Sequence, residues 1–246
     1  MRSDGGASAR PALFFVLSTH VAKDEYRMNY LIWQLVDSGF PAGGFTHSGG
    51  LEAAVHHGEV TDAAGVCAFA RRTLAQAGRS ALPLVTAAHR SVAGLGDLDE
   101  LCDAFLINPI ANRASRAQGR SLVTSSARSF PQADLEILET RLRRDQLCGH
   151  YYPVFGAVLN VLGVDLLDTQ RLFLFLIGRC AGSAAVRLGL FGAYQAQELQ
   201  AVLSQDIDAV IAKCERLQPL DVAQTAPLID LCQSTHDRLY SRLFQS

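Results

Sequence analysis

The stretch Phe40-Pro41-Ala42-Gly43-Gly44-Phe45-Thr46-His47-Ser48-Gly49-Gly50-Leu51-Glu52 separates two segments that read as helix. It concentrates four glycines and a proline in thirteen positions. Each glycine weakens regular structure by about 0.5–1 kcal/mol, while allowing positive φ and close approach of another surface. Such a loop either makes a special turn or presents Phe45, Thr46, His47 and Ser48 to a partner.

Outward from the loop the pattern is helical throughout. Tyr30, Leu31, Trp33, Leu35 and Val36 belong to a first helix that Gly39 and Pro41 end. Leu51, Glu52 and Val55 open a short second helix closed near Gly58, with Ser48 as its expected N-cap. Thr61 or Asp62 caps a third, whose Val66, Phe69, Ala70 and Leu74 follow i, i+3, i+4 spacing. Pro83 falls in the first turn of the next helix, and Asp97 caps another that Pro109 interrupts. Residues 110–130 are rich in Ala, Ser and Arg. Further helices are predicted over about 134–147, 149–164, 168–193, 195–217 and 226–245. Alternating β-branched runs are missing, so no sheet is expected. The expectation is all-α: a single compact helical domain of roughly ten helices, spanning 28–246.

The extension 1–27 reads as disordered or loosely attached. Its Ala12-Leu13-Phe14-Phe15-Val16-Leu17 run resembles a short signal sequence, but lacks a small-residue cleavage site and precedes Lys23-Asp24-Glu25. Met28 is an alternative start.

A net charge of −2 supplies no general field for nucleic acid or anionic lipid, and no apolar run reaches the length of a membrane span. The six cysteines form no C-x-x-C pair and read as free thiols in a reducing compartment. Cys148-Gly149-His150 offers two metal donors, yet nothing nearby in sequence completes a tetrahedral set. Adjacent His56 and His57 diverge by about 100° on a helix and read as an exposed helix end.

His47 beside Ser48 has the side chains of acid/base chemistry, but no nucleophile elbow surrounds them and no acid is placed by sequence to orient the imidazole. The loop also lacks the lysine and spacing of a phosphate-binding loop. Arg113, Arg116 and Arg120 share one helical face, either solvated or gripping carboxylates or phosphates. The segment Gly149-His150-Tyr151-Tyr152-Pro153-Val154-Phe155-Gly156 reads as a helix start with close backbone approach. The end, Leu239-Tyr240-Ser241-Arg242-Leu243-Phe244-Gln245-Ser246, is too apolar to fray and must dock on its own domain or on another protein.

Together these elements resemble the UreF family of urease accessory proteins. Residues 41–52 match its P-x-G-G-[FY]-x-x-S-x-G-L-E loop, and residues 112–120 resemble its Arg-rich helix. Residues 149–156 resemble its Gly-His-x-x-Pro-Val-Phe-Gly segment, and residues 225–246 its T-P-L…H-x-x-x-Y-S-R-L-F-x-S ending, with Ala226 inserted before Pro227. The resemblance runs from about Tyr30 to Ser246. It implies a non-enzymatic, cytoplasmic, homodimeric scaffold that binds UreD (also called UreH) and the GTPase UreG. It further implies delivery of Ni²⁺ to apo-urease, with regulation of GTP hydrolysis. No firmly bound cofactor or metal is expected on this subunit, Ni²⁺ being handled by the complex, and neither nucleic acid nor membrane is an expected partner. Gly43, Gly44, Phe45, His47 and Ser48, with Tyr240, Arg242, Leu243 and Phe244, are the implied UreD-facing residues. Arg113, Arg116 and Arg120 fall to the UreG side or the dimer interface. The alternatives are a small helical hydrolase or lyase using His47, and a helical module for an unrelated GTPase.

Overall fold

The computed structural model describes residues 23–246, with side chains described from Tyr30 onward, Phe45 excepted. Expectations for residues 1–22, the signal-like run included, lie outside the described residues. The chain is a single all-helical domain, and no strand occurs among the described residues. Its elements are α1 (Lys23–Val36), α2 (Leu51–His56), α3 (Ala63–Ser80), α4 (Leu82–Arg90), α5 (Leu95–Phe105) and α6 (Pro109–Ser129). There follow α7 (Ala133–Arg144), α8 (Tyr151–Val161), α9 (Leu166–Arg187), α10 (Ala193–Cys214) and α11 (Pro227–Ser234).

The boundaries follow local chemistry. The Asp62 carboxylate accepts the Gly65 N–H at 2.7 Å and caps α3. Asp97, expected as a cap, lies inside the first turn of α5, whose N-cap is Gly94. Pro109 begins a helix rather than breaking one. Asn108 Oδ1 accepts the Ile110 N–H at 3.0 Å, and the proline occupies the first turn of α6, where its missing donor costs nothing. The helix expected over 226–245 ends at Ser234, and residues 239–246 leave the helical path.

The core is built around α8, which is apolar on every side and buried accordingly. It packs against α4, α5, α6, α7 and α9. Phe155 and Phe173 meet edge to face with ring centres 5.3 Å apart, and Tyr151 joins them. α3, α9 and α10 pack on one another to form the second half of the same core. All six cysteines are free thiols. No helix among the described residues is long and apolar enough to cross a membrane.

The loop and tail clasp: a candidate docking surface

Between α1 and α2 the chain makes a special turn. Gly43, at φ +79°, leads into a 3-10 turn over Gly44–Thr46, and the Thr46 hydroxyl donates back to the Gly43 main-chain oxygen at 2.9 Å. Gly50, at φ +91°, is the N-cap of α2. A Cβ there would stand 3.2 Å from the Ile229 main-chain oxygen, so α11 rests directly on the loop. The expected cap, Ser48, is used elsewhere: its hydroxyl donates to the Ser246 main-chain oxygen at 3.0 Å.

That contact is one of several joining the loop to the tail. The Gln245 N–H donates to Thr46 O at 2.8 Å, and the Ser48 N–H to Ser246 O at 2.6 Å. Beneath the tail, the buried Glu52 carboxylate accepts three donors. Leu243 N–H donates at 2.6 Å, Phe244 N–H at 3.3 Å and His236 Nε2 at 2.8 Å. These bonds replace the i−4 bonds that a continued helix would have supplied. A buried carboxylate is tolerated only with such a set of donors. Phe244 is buried and lies under the Arg187 guanidinium, 4.0 Å from the ring centre, and Arg187 also donates to Leu243 O at 2.9 Å.

The clasp sorts the tail residues by face. Phe244 docks inward, whereas Tyr240 is fully exposed and Leu243 is 58% exposed. Arg242 is exposed and bonds Asp237 Oδ1 at 3.0 Å. Asp237 is held from the other side by Arg113 at 3.0 Å. Nearby, α11 leaves Leu228 and Leu231 exposed, three residues apart on one helical face.

His47 lies below this surface. Its Nδ1 is 2.6 Å from the Ser246 hydroxyl, and burial pushes its pKa down to about 4, with His236 and Arg113 adding to the effect. The imidazole is therefore neutral near pH 7, and its hydrogen-bond partner is a hydroxyl of the tail, where a catalytic base would be oriented by a carboxylate. Gly43 and Gly44 shape the turn and are half-buried, and Phe45 sits within it. Ser48 is buried.

The arginine face of α6 finds its acidic partners on other elements. Arg116 pairs with Asp103 of α5, Arg113 with Asp237, and Arg120 Nε donates to the Cys148 main-chain oxygen at 3.0 Å. Asn112 also donates to Asp103, at 2.9 Å. Arg116, Asn112 and His150 hold the Asp103 carboxyl far below the usual carboxylate range, Asn112 contributing most. His56 and His57 lie exposed at the end of α2, and His57 Nε2 is 2.8 Å from the Thr235 hydroxyl.

Of the residues that join loop and tail, His47 and Ser48 were singled out in the sequence, whereas the role of Glu52 was not. Glu52 stood inside the quoted stretch as a helix residue, and its burial 191 positions from its partner Leu243 left no local trace. His236 was visible only as the histidine of the C-terminal motif, and Arg187 carried no signal.

Fold and clasp together define an all-helical domain that folds its own C-terminal segment back onto a glycine-rich loop. The family model named UreF matches residues 60–204, well over half of the chain. A rice protein (Oryza sativa subsp. indica) named Urease accessory protein F is 35% identical over 216 residues, covering 86% of this chain and 83% of its own. The Arabidopsis thaliana protein of the same name is 34% identical over 223 residues, covering 89% and 93%. An Arthrobacter protein named Urease accessory protein UreF is 29% identical over 217 residues, covering 87% and 95%. The chain belongs to the UreF family.

Proposed function

We propose that this protein serves in urease maturation as a helical scaffold. In this reading it joins UreD (UreH) and the GTPase UreG for GTP-dependent insertion of Ni²⁺ into apo-urease, and regulates the GTPase. It works in the cytoplasm as a homodimer, with Ni²⁺ as cargo rather than as a resident cofactor. Family membership supports a role in urease maturation, and the partners extend that reading.

The observation that carries the scaffold reading is the sorting of the tail by the clasp. Tyr240 and Leu243 are held outward on a backbone fixed from beneath by Glu52. Exposed aromatic and aliphatic groups on a pre-ordered backbone are the groups that anchor protein interfaces, because little side-chain and chain entropy remains to be lost on binding. UreD is assigned to this surface, comprising Tyr240, Arg242 and Leu243. Gly43, Gly44, Phe45, His47, Ser48 and Phe244 act in this assignment by shaping the loop and seating the tail. UreG or the second copy is assigned to the face bearing Arg113 and Arg120, with Arg116 bracing it from within.

Co-expression with UreD and UreG tests the assignment. Tyr240→Ala with Leu243→Ala is expected to weaken UreD co-purification at least tenfold, a loss of about 1.4 kcal/mol or more. Helicity and thermal midpoint should stay unchanged. Undiminished UreD recovery with the double variant removes the tail from the interface.

A further inference from the structure

A second cluster lies apart from the clasp, where the connection between α7 and α8 crosses α5 and α6. The Asp99 carboxylate accepts the Gly149 N–H at 3.1 Å and the His150 N–H at 2.7 Å, clamping this strap at both residues. Gly119 of α6 leaves no room for a Cβ against the Gly149 main-chain oxygen, so the strap lies flat on the helix. His150 is fully buried, with Nδ1 3.1 Å from the Ser115 hydroxyl and Nε2 3.0 Å from Asp103 Oδ1. One donor atom each from Asp103, Cys148 and His150 falls within 4.8 Å of the other two.

We propose that Asp103, Cys148 and His150 form an exchangeable site for one borderline divalent transition-metal ion, with a fourth position open to solvent. Three arguments support it, and none depends on the partners proposed above. The first is donor chemistry. A thiolate, an imidazole and a carboxylate suit Zn²⁺, Co²⁺ or Ni²⁺ and discriminate against Mg²⁺ and Ca²⁺, which take oxygen donors. The second is distance. Metal–ligand bonds of about 2.0–2.3 Å place tetrahedral ligand atoms roughly 3.3–3.8 Å apart, so side-chain rotations closing about 1 Å complete the set. Both Asp103 and Cys148 are half-buried, and for Asp103 the movement must rearrange its bonds to Asn112, Arg116 and His150.

The third argument is the Ser115 hydroxyl. It accepts the Tyr151 N–H at 3.1 Å and rotates to serve either tautomer of His150. With Nε2–H donating to Asp103, Ser115 donates to Nδ1. With the proton on Nδ1, Ser115 accepts it, and the Nε2 lone pair is turned toward Asp103, ready for a cation. A hydrogen bond to the second ring nitrogen is the usual means of orienting a metal-bound imidazole.

The same surroundings make the site reversible. Asn112, Arg116 and His150 all bond Asp103 through Oδ1, leaving Oδ2 as the oxygen that none of them occupies. The Arg116 guanidinium remains beside the ion and opposes its charge. Binding displaces the Nε2–Asp103 bond, and the Cys148 thiol loses its proton to solvent as the sulfur–metal bond forms.

Untagged protein titrated with Co²⁺ tests the proposal, because a thiolate ligand adds a sulfur-to-cobalt charge-transfer band. The expected result is one equivalent bound by equilibrium dialysis, with the band present and displaced by Zn²⁺. Cys148→Ser should abolish the band and weaken binding at least about tenfold. A double His56→Ala, His57→Ala variant should behave as wild type. Wild-type protein without the band, or a band surviving Cys148→Ser, overturns the site, as does its loss in the double histidine variant. Should Cys148→Ser fail to fold, alkylation of wild-type Cys148 read by peptide mass decides. Protection by Zn²⁺ upholds the site, and equal alkylation with and without metal overturns it.

Discussion

Glu52 holds more of the clasp than any other side chain, since His236 and two tail amides converge on one buried carboxylate. Truncating such a hub leaves several buried donors unpaired, each costing about 1–3 kcal/mol. Glu52→Gln keeps the shape but turns an amide NH₂ toward groups that themselves donate. We expect it to lower stability by about 2–4 kcal/mol in urea denaturation. It should also open the 239–246 segment to limited proteolysis. His47 makes a different prediction. Its folded pKa of about 4 lies below the ordinary 6.5, so between those values the unfolded chain binds a proton that the folded chain refuses. The stability it protects is complete above pH 6.5 and is lost as pH falls toward 4, on the order of 3 kcal/mol in all. Other carboxylates and histidines titrate in the same range, so the measurement is a difference. Wild type should lose more stability than His47→Gln between pH 7 and pH 4.5, and parallel curves would contradict the assignment.

At the scale of elements, the clasp depends on a turn that only glycine accommodates. Gly50 combines a left-handed backbone with α11 in contact. Gly44, by contrast, has open space where a Cβ would stand and begins an ordinary 3-10 turn. Gly50→Ala is expected to cost about 1–2 kcal/mol and Gly44→Ala less than about 1 kcal/mol, both read from thermal or urea midpoints. The helices themselves were legible because burial of one face imposes the 3.6-residue period and glycine or proline marks most ends. The last element was misread for the same reason. Leu239, Leu243 and Phe244 stand at helical spacing, and the period reports which side chains want burial, not where the backbone donors are satisfied. Here Leu243 and Phe244 donate to Glu52 and Gln245 to Thr46 O. Pro109 likewise marked a boundary correctly, yet as the first residue of α6 rather than as the break in one helix.

Across the whole molecule, the surfaces assigned an outward role are assembled from segments far apart in the chain. The loop near residue 47 meets the tail at 246, α6 meets the tail through Arg113 and Asp237, and the strap at 148–150 meets α5. Such pairings explain the limits of sequence reading: Arg113, Arg116 and Arg120 were visible as a face, but Asp237 and Asp103, which pair with Arg113 and Arg116, were visible only after folding. Of the apolar C-terminus, Phe244 docks on its own domain, whereas Tyr240 stays exposed. The tail is already seated before any partner arrives. Native-state hydrogen exchange of the isolated protein measures this directly at the amides of Ser48, Leu243, Phe244 and Gln245. The clasp predicts protection of these four amides, together and to a similar degree, with loss of protection at Leu243 and Phe244 in Glu52→Gln. Exchange of Leu243, Phe244 and Gln245 at the rate of an open chain in the wild-type protein would contradict it.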